Sequence, residues 1–423
     1  MEEKTKKALR IYVVVLLSLA YCFNFIDRQI VTILQVPLKA EFGLSDTQLG
    51  VLTGFSFALF YALLGIPIAR IADRLNRVNI ISISIGFWSV MTALSGLAGG
   101  FWSLAALRVG VGVGEAGCTP PSHSIISDYF NKTERSRALS IYSLGQALGG
   151  ALGVVIGGVV AQYYGWRVAF FIVGIPGILL AFLVKFTVPE PKRGAMDDHK
   201  VVPPEAVKNE AKAQESIPKA ILALFKHPSY RHVAIGHVIA VMSGFAFVAW
   251  LPPLISRTYG LPHTKIGVIV GVVLLFGGAP GMVFGGFFGD FMAKRFGMKW
   301  LSFIAAIGTL VSLPLFIITL CIGSGSLTMT IVVLMLATFI YQFHYATSLS
   351  LIQSSVISSK RALATASLFL FSNFIGMGMG PLIVGAISDH TGSLRLGMAV
   401  VMIFLLVSSF EYYRSARFAG KTA

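Results

Sequence analysis

The chain has 423 residues, of which 55% are hydrophobic and 12% are charged, and its mean hydropathy is +0.78. A soluble domain carries about 25% charged residues and a disordered chain has low hydrophobicity, so this composition excludes both classes. The 34 Lys and Arg residues outnumber the 18 Asp and Glu residues, which gives a net charge of +16. The basic residues stand in short clusters between long apolar segments, as in membrane-protein loops. The composition therefore predicts an integral membrane protein that binds no nucleic acid.

Twelve apolar segments are long enough to cross a bilayer, which takes about 20 residues. A polar stretch at 189–228 separates the first six from the last six. The pattern predicts an all-α membrane protein with twelve transmembrane helices in two pseudo-symmetric bundles. The bundles would occupy 1–188 and 229–423, joined by a cytoplasmic linker at 189–228 that ends in a short interfacial helix. The predicted spans are 9–38, 46–72, 78–98, 101–128, 136–163, 167–188, 229–257, 263–292, 299–321, 327–357, 362–388 and 394–414.

The distribution of Lys and Arg sets the expected orientation. The amino terminus, the linker, the carboxyl-terminal tail and the loops after spans two, four, eight and ten hold nearly all of these residues. Because basic loops stay on the cytoplasmic side, both termini are expected to be cytoplasmic. The expected location is a plasma or inner membrane, crossed many times.

A repeated element follows the second and the eighth spans. Asp73 and Arg77 stand in the first copy, and Asp290 and Arg295 stand in the second. A repeat at matching positions of two six-span halves is typical of a transporter whose site lies between the halves near the bilayer midplane. These four residues, with Asp128 at the foot of span four, are predicted to form a cytoplasmic gate.

Four charged residues fall inside predicted spans: Asp27, Arg28, Arg108 and Glu115. Each costs roughly 2.5–3.5 kcal/mol near the centre of a lone helix, so they must pair or contact water inside the bundle. At about 1.5 Å per residue, Arg28 lies between Arg108 and Glu115 in depth. All four fall in one half, which favours a proton-coupling and substrate site. A fixed salt bridge between spans one and four is the structural alternative.

The tenth span is unusually polar, and its polar residues share one helical face, which predicts a cavity lining. Asn24 and aromatic residues of other spans are further candidates. The lone residues His237 and His344 are more typical of hydrogen-bonded core residues than of proton carriers. The cavity-lining candidates are Asn24, Tyr61, Trp250, Tyr341, His344, Tyr345 and Ser348.

Other sequence patterns indicate packing rather than chemistry. Gly112–Gly117 fits a dinucleotide fingerprint, but it lies within a span and follows no strand, so its glycines are expected to permit close helix packing. The small-residue spacing from Gly145 to Gly157 has the same interpretation. The sequence has no nucleophile–base set, metal-ligand cluster or ATP-binding loop, so no cofactor, no metal and no enzymatic activity are predicted. A membrane-embedded lipid-modifying enzyme is the alternative from a different class.

Several of these motifs resemble the major facilitator superfamily. The element from Asp73 to Arg77 is similar to the superfamily's signature loop, and the resemblance extends over nearly the whole chain. Within the superfamily the chain looks most similar to the Spinster transporters. The matching strings begin at Asn24 (NFIDR), Phe87 (FWS), Arg108 (RVGVGVGEA) and Arg135 (RSRALSI).

The resemblance implies the major facilitator fold and secondary transport by alternating access. It implies an amphipathic, anionic, lipid-like substrate such as sphingosine-1-phosphate or a lysophospholipid, with proton linkage and a monomer in the lipid bilayer. A proton-coupled carrier of small organic anions or drugs is the alternative.

Overall fold

The computed structural model describes residues 2–72, 74–196, 217–357 and 360–419. Within these ranges the secondary structure is helical and includes no strand, which confirms the all-α fold. Twelve helices, α1–α12, follow the predicted spans. Their bounds are α1 Glu2–Phe42, α2 Asp46–Ala72, α3 Arg77–Ser95, α4 Phe101–Glu115 with Thr119–Tyr129, α5 Lys132–Tyr164, α6 Trp166–Thr187, α7 Pro228–Tyr259, α8 His263–Phe296, α9 Lys299–Cys321, α10 Leu327–Ser354, α11 Leu363–Thr391 and α12 Leu394–Ser415.

Helix α4 differs from the continuous span that the sequence predicted. Its two parts are separated at residues 116–118, directly after Glu115, whereas the other eleven helices are each long and apolar enough to cross a membrane. Two prolines, Pro120 and Pro121, stand in the first turn of the second part. Proline is tolerated there because a first-turn N–H needs no partner within the helix. The break therefore places an acidic side chain where the regular backbone ends.

Among the described residues, three helices contain a wider, π-helical turn, which often marks a functional bend. The turns lie at Val51–Phe55 in α2, Val273–Gly278 in α8 and Ser372–Met379 in α11. Helices α2 and α8 hold equivalent places in the two halves. All three helices lie at the boundary between the bundles.

Close packing within the first bundle depends on a glycine stripe on α5. A Cβ atom at Gly145 or Gly149 would stand 2.2 Å from a carbonyl oxygen of Ser18 or Cys22 on α1. No side chain fits at that distance. The stripe therefore lets two helix backbones touch, as its spacing predicted.

The two bundles share one hydrophobic core at a single end of the molecule. There, Leu34 and Leu38 of α1 belong to the same buried cluster as Trp250 and Leu254 of α7. We call this the closed end; it contains the α1–α2, α5–α6, α7–α8 and α11–α12 connections. Its polar contacts include a hydrogen bond of 2.6 Å from the Gln35 amide to the Ala249 carbonyl.

At the opposite end the buried side chains form two further clusters. One is built mainly from the first bundle and includes Val13, Ile81 and Ile125. The other lies in the second bundle, apart from Leu224 of the connecting segment, and includes Leu301 and Ile352. We call this the linker end, because α6 ends there at Thr187 and α7 begins there at Pro228. The bundles are thus joined at one end and divided at the other.

The connection between the bundles includes a ten-residue amphipathic helix, Ile217–Lys226. Leu224 is buried against the second bundle, while Leu222 is exposed. The ring of Phe225 packs at 5.4 Å from the ring of Phe371 in α11. Residues 197–216 of the predicted linker lie outside the described residues, so its full extent stays a prediction.

The outer surface is suited to lipid. Large apolar side chains point outward from the helices, among them Ile83, Phe186 and Phe287, each more than 70% exposed. Apolar surface of this extent requires an apolar solvent. The arrangement confirms a multi-pass membrane protein.

Candidate functional site

A buried ion pair joins α1 to α4 inside the first bundle. Arg28 donates through Nε to Glu115 Oε2 at 2.7 Å, and the two side chains are 6% and 0% exposed. The sequence placed these residues at similar depth, and the structure brings them together. Glu115 is the last residue before the break in α4. Removing one partner of a buried ion pair strongly destabilises the folded protein, because the other charge is left buried and unpaired.

Three aromatic rings surround the guanidinium group of Arg28. Its Cζ atom lies 4.8 Å from each of the ring centroids of Phe25, Phe57 and Tyr61. Cation–π attraction at this distance favours a desolvated arginine. Phe25 and Phe57 were missed by the sequence analysis. The spacing of Phe57 and Tyr61, four residues apart on α2, was the available signal, since it places both rings on one face.

Asp27 and Arg108 occupy a separate part of the same buried region. Arg108 donates through Nη1 to the backbone carbonyl of Asp27 at 3.3 Å, and both side chains are 1% exposed. The Asp27 side chain faces Trp88 and Thr92 of α3. Adjacent helix residues point about 100° apart, so the Asp27 side chain faces α3 while the Arg28 side chain faces Glu115. Trp88 and Thr92, four residues apart on one face, were not predicted.

Many polar atoms of this region have no hydrogen-bond partner among the described residues. The side chain of Asn24 faces Glu115, yet neither of its polar atoms forms a hydrogen bond. Leaving a buried donor or acceptor unpaired costs about 1–3 kcal/mol, so a site with several such atoms suits a polar ligand, water or a proton. These atoms are Asn24 Oδ1 and Nδ2, Asp27 Oδ1, Arg28 Nη2, Trp88 Nε1, Thr92 Oγ1, Arg108 Nε and Glu115 Oε1.

The sequence predicted that the polar face of α10 lines an open cavity, but most of its side chains are buried in the second bundle. Tyr341 donates its hydroxyl hydrogen to the Ala240 carbonyl at 2.7 Å, and Ser348 shares a hydrogen bond of 2.7 Å with Tyr412. His344 contacts the Tyr341 carbonyl. All three α10 side chains are buried inside the second bundle, where Tyr341 and Ser348 have hydrogen-bond partners and His344 uses only its Nδ1 atom. Tyr345, on the same face, is half-buried.

Two other cavity candidates also differ from the prediction. Trp250 is fully buried in the shared core, where its indole N–H donates to the Pro381 carbonyl at 2.9 Å. Asn24 is 0% exposed and belongs to the buried Arg28 region rather than to an open surface. Tyr61 is half-buried beside Arg28. Tyr61 belongs to the first bundle and Tyr345 to the second, and the two side chains are near enough to interact electrostatically.

The predicted gate residues divide into two groups at the linker end. Arg77 is 1% exposed and pairs with Asp128 and with Glu190, which stands three residues after the end of α6. Asp290 and Arg295 are exposed, and Arg295 lies over the ring of Phe296 rather than joining this cluster. Asp73 lies outside the described residues. The cluster forms within one half because the bundles are separated at this end.

Contacts that the sequence analysis did not predict join the bundles at the closed end. The carboxylate of Asp389 on α11 accepts hydrogen bonds from the backbone N–H groups of Asp46 and Thr47, at 2.8 and 2.7 Å. Ser388 donates to the Asp46 carboxylate at 2.6 Å. Unpaired N–H groups at a helix start attract a carboxylate, so α11 caps α2. The available signal was the SDTQ capping pattern at Ser45, which marks this helix start.

The glycines of the fingerprint-like string Gly112–Gly117 contact neighbouring helices. A Cβ atom at Gly112 would stand 2.5 Å from the Phe57 carbonyl oxygen, and one at Gly117 would stand 2.1 Å from Ser84 Oγ. The string therefore packs α4 against α2 and α3. This packing holds α2 and α4 together where Phe57 and Glu115 both contact Arg28.

The chain is similar to known transport proteins over nearly its whole length. An MFS-type efflux pump of Mycolicibacterium smegmatis is 31% identical over 410 residues, which cover 95% of this chain and 92% of the relative. A probable L-galactonate transporter of Escherichia coli is 27% identical, over 93% of this chain and 86% of the relative.

A solved structure has the same fold and shares sequence with this chain. It is a bacterial homologue of the human lysosomal transporter Spinster in an inward-facing, unoccupied conformation. The TM-score is 0.86 and the identity is 30%, with 97% of this chain and 98% of that chain covered. The family model described as Major Facilitator Superfamily matches residues 17–381. The chain therefore belongs to the Major Facilitator Superfamily, resembles its Spinster members, and is a membrane transporter rather than an enzyme.

Proposed function

We propose that this transporter moves an amphipathic, anionic, lipid-like substrate by alternating access, linked to proton movement. The observation that carries the proposal is the buried Arg28 guanidinium, which pairs with Glu115 and is surrounded by three aromatic rings. An anionic group offers Arg28 the same charge-assisted hydrogen bonds that Glu115 provides. The rings of Phe25, Phe57 and Tyr61 offer apolar contact to a hydrocarbon portion.

The shape of the molecule supports an inward-facing state. The Lys and Arg distribution predicts that the linker end is cytoplasmic, and the bundles are divided at that end. Substrate would reach Arg28 from the cytoplasmic side in this state. In the opposite state the bundles rock about the central site. The linker-end groups Asp73, Arg77, Asp128, Asp290 and Arg295 would then meet and close the cytoplasmic side.

Proton linkage follows from competition for Arg28. When an anion takes Arg28, Glu115 loses its counter-charge inside a buried site. A carboxylate without a partner there is strongly disfavoured, so proton uptake accompanies anion binding. Linkage is reciprocal, and protonation of Glu115 therefore makes Arg28 available to the anion. Asp27, whose Oδ1 atom has no partner among the described residues, is a second candidate proton acceptor.

The test is a transport assay with purified protein in proteoliposomes. Lysophospholipids, sphingosine-1-phosphate, sugar acids and cationic drugs would be compared with and without a pH gradient. Transport of the lipid anions that is stimulated by the gradient and lost in Arg28→Ala is expected. Arg167→Ala is the matched control, because Arg167 forms an exposed pair with Glu41 away from the site. Transport that is unchanged in Arg28→Ala would contradict the proposal.

A proton-coupled carrier of small organic anions or drugs is the second candidate. It is favoured by the relatives described as an efflux pump and as a probable L-galactonate transporter. The same Arg28 would hold a sugar-acid carboxylate. Uptake of galactonate without uptake of any lysolipid would select this function.

A further inference from the structure

Two histidines of the second bundle form a buried pair away from Arg28. His237 on α7 lies nine residues from the linker end of its helix, and His344 on α10 lies ten residues from the same end. At about 1.5 Å per residue both stand about 14–15 Å deep. Their ring centroids are 5.7 Å apart, and the side chains are 0% and 1% exposed.

Three of the four ring nitrogens in this pair lack a partner among the described residues. His344 Nδ1 lies 2.7 Å from the Tyr341 carbonyl oxygen. A carbonyl only accepts, so this nitrogen carries hydrogen and Nε2 of a neutral ring is an acceptor. Nε2 of His344 and both nitrogens of His237 form no hydrogen bond. Buried polar atoms without a hydrogen-bond partner are exceptional in folded proteins, so these nitrogens indicate a ligand or water that hydrogen-bonds to them.

The surroundings favour neutral rings. In the part of the chain that the structure describes, no carboxylate or guanidinium group forms an ion pair or hydrogen bond with either ring. The titratable groups that face the pair are tyrosines: Tyr341 at 4.6 Å and Tyr412 at 6.4 Å from the His344 ring, and Tyr345 at 5.6 Å from the His237 ring. A buried charge without a partner is costly, so the pair offers one N–H donor and two acceptors.

We propose that His237 and His344 form a subsite for a hydroxyl group of the transported anion. A hydroxyl accepts one hydrogen bond and donates one, so it can accept from the His237 N–H and donate to His344 Nε2. An ammonium group cannot accept, and a carboxylate cannot donate. The neutral pair therefore matches a hydroxyl better than either charged group.

The subsite adjoins the anion site through two tyrosines. Tyr345 contacts the His237 ring and lies within electrostatic range of Tyr61, and Arg28 stands over the Tyr61 ring. In this conformation His237 is covered, so Tyr345 must move for a hydroxyl to reach the rings. The inference rests on the proposed function and narrows its substrate class to hydroxylated anions.

A binding experiment with one matched pair of probes tests the subsite. Oleoyl lysophosphatidate has one free hydroxyl, and oleoyl propanediol phosphate is its deoxy analogue. Binding of both to the full-length protein in nanodiscs would be measured for wild type, His237→Leu, His237→Gln and Arg28→Ala. Wild type is expected to prefer the hydroxylated probe about tenfold, because an unfilled subsite leaves buried groups unpaired. The preference should disappear in His237→Leu and persist in His237→Gln, which keeps a donor and an acceptor.

The outcomes separate this inference from the proposed function. Equal, Arg28-dependent binding of both probes to wild type would show that the pair holds only water, and would overturn the subsite while leaving anion transport intact. A preference that survives in folded His237→Leu would overturn it too. Failure of both probes to bind wild type would overturn the lipid function together with the subsite. Melting temperatures of the variants establish that each is folded.

Discussion

The guanidinium group of Arg257 donates two hydrogen bonds to the carboxylate of Asp46, at 2.6 and 2.8 Å, and so connects α7 to α2. The two helices belong to different bundles. Lys39 of α1 also pairs with Asp46. Asp46 is therefore a centre of polar contacts that hold the closed end, and these contacts must break when the transporter opens there.

Asp46→Asn is expected to shift the conformational equilibrium toward opening of the closed end. Removing the charge weakens the Arg257 contact, which is partly exposed, by about 1 kcal/mol. That change corresponds to about a fivefold population shift. Distances between spin labels at Tyr164 and Leu396, both exposed, would report it.

Glu41→Gln is the control for this prediction. Glu41 lies at the same end but pairs with Arg167 within the first bundle. Its neutralisation should leave the distance distribution unchanged. If Asp46→Asn and Glu41→Gln give the same distribution as wild type, the Asp46 contacts do not hold the closed end.

Alanine substitutions at two neighbouring glycines of α5 should have different effects on the stability of the protein. At Gly149 a Cβ atom would stand 2.2 Å from the Cys22 carbonyl oxygen, whereas at Gly150 nothing lies within 4 Å. Gly149→Ala should destabilise the first bundle by about 1–3 kcal/mol through overpacking. Gly150→Ala should be neutral or stabilising by up to about 1 kcal/mol, because alanine favours a helix. Thermal unfolding in detergent would compare the two, and equal melting temperatures would contradict the close packing of α1 and α5.

A native cysteine can test the orientation. Cys321 ends α9 at the closed end and is exposed, whereas Cys22 and Cys118 are buried. An impermeant maleimide should label Cys321 in sealed right-side-out vesicles. With Cys321→Ser as background, Lys200→Cys in the linker should be labelled only after the membrane is opened. Ready labelling of Lys200→Cys in intact vesicles would reverse the predicted topology.

The sequence predicted that Arg28 and Glu115 lie near each other in depth and must be paired or hydrated, for a reason that needs no structure. A charge inside an apolar span is costly, and two opposite charges at one depth relieve that cost. The contacts of Arg28 with the rings of Phe57 and Tyr61 depend instead on how α2 is rotated relative to α1. That rotation is set by contacts such as Gly112 against Phe57, which join residues far apart in the chain.

The misplacement of Trp250 has a similar cause. An indole inside an apolar span can face a cavity or find a buried acceptor, and local sequence does not distinguish these cases. Its acceptor, the Pro381 carbonyl, is 131 residues away. The break in α4 was more accessible to prediction, since Pro120 and Pro121 stand where its second part begins.

Glu115→Gln is expected to remove the pH dependence of anion binding. In wild type, the anion competes with ionised Glu115 for Arg28, so binding should strengthen as the pH falls and Glu115 becomes protonated. One linked proton gives a change of at most about tenfold in affinity per pH unit. Glutamine resembles the protonated acid, so the variant should bind the anion tightly across the whole pH range.

Glu134→Gln, which changes an exposed acid, is the control and should keep the wild-type pH profile. Isothermal titration at several pH values measures both affinity and proton uptake. If folded Glu115→Gln retains the wild-type pH profile, Glu115 only braces α1 against α4, and the coupled proton must bind elsewhere, with Asp27 the next residue to test.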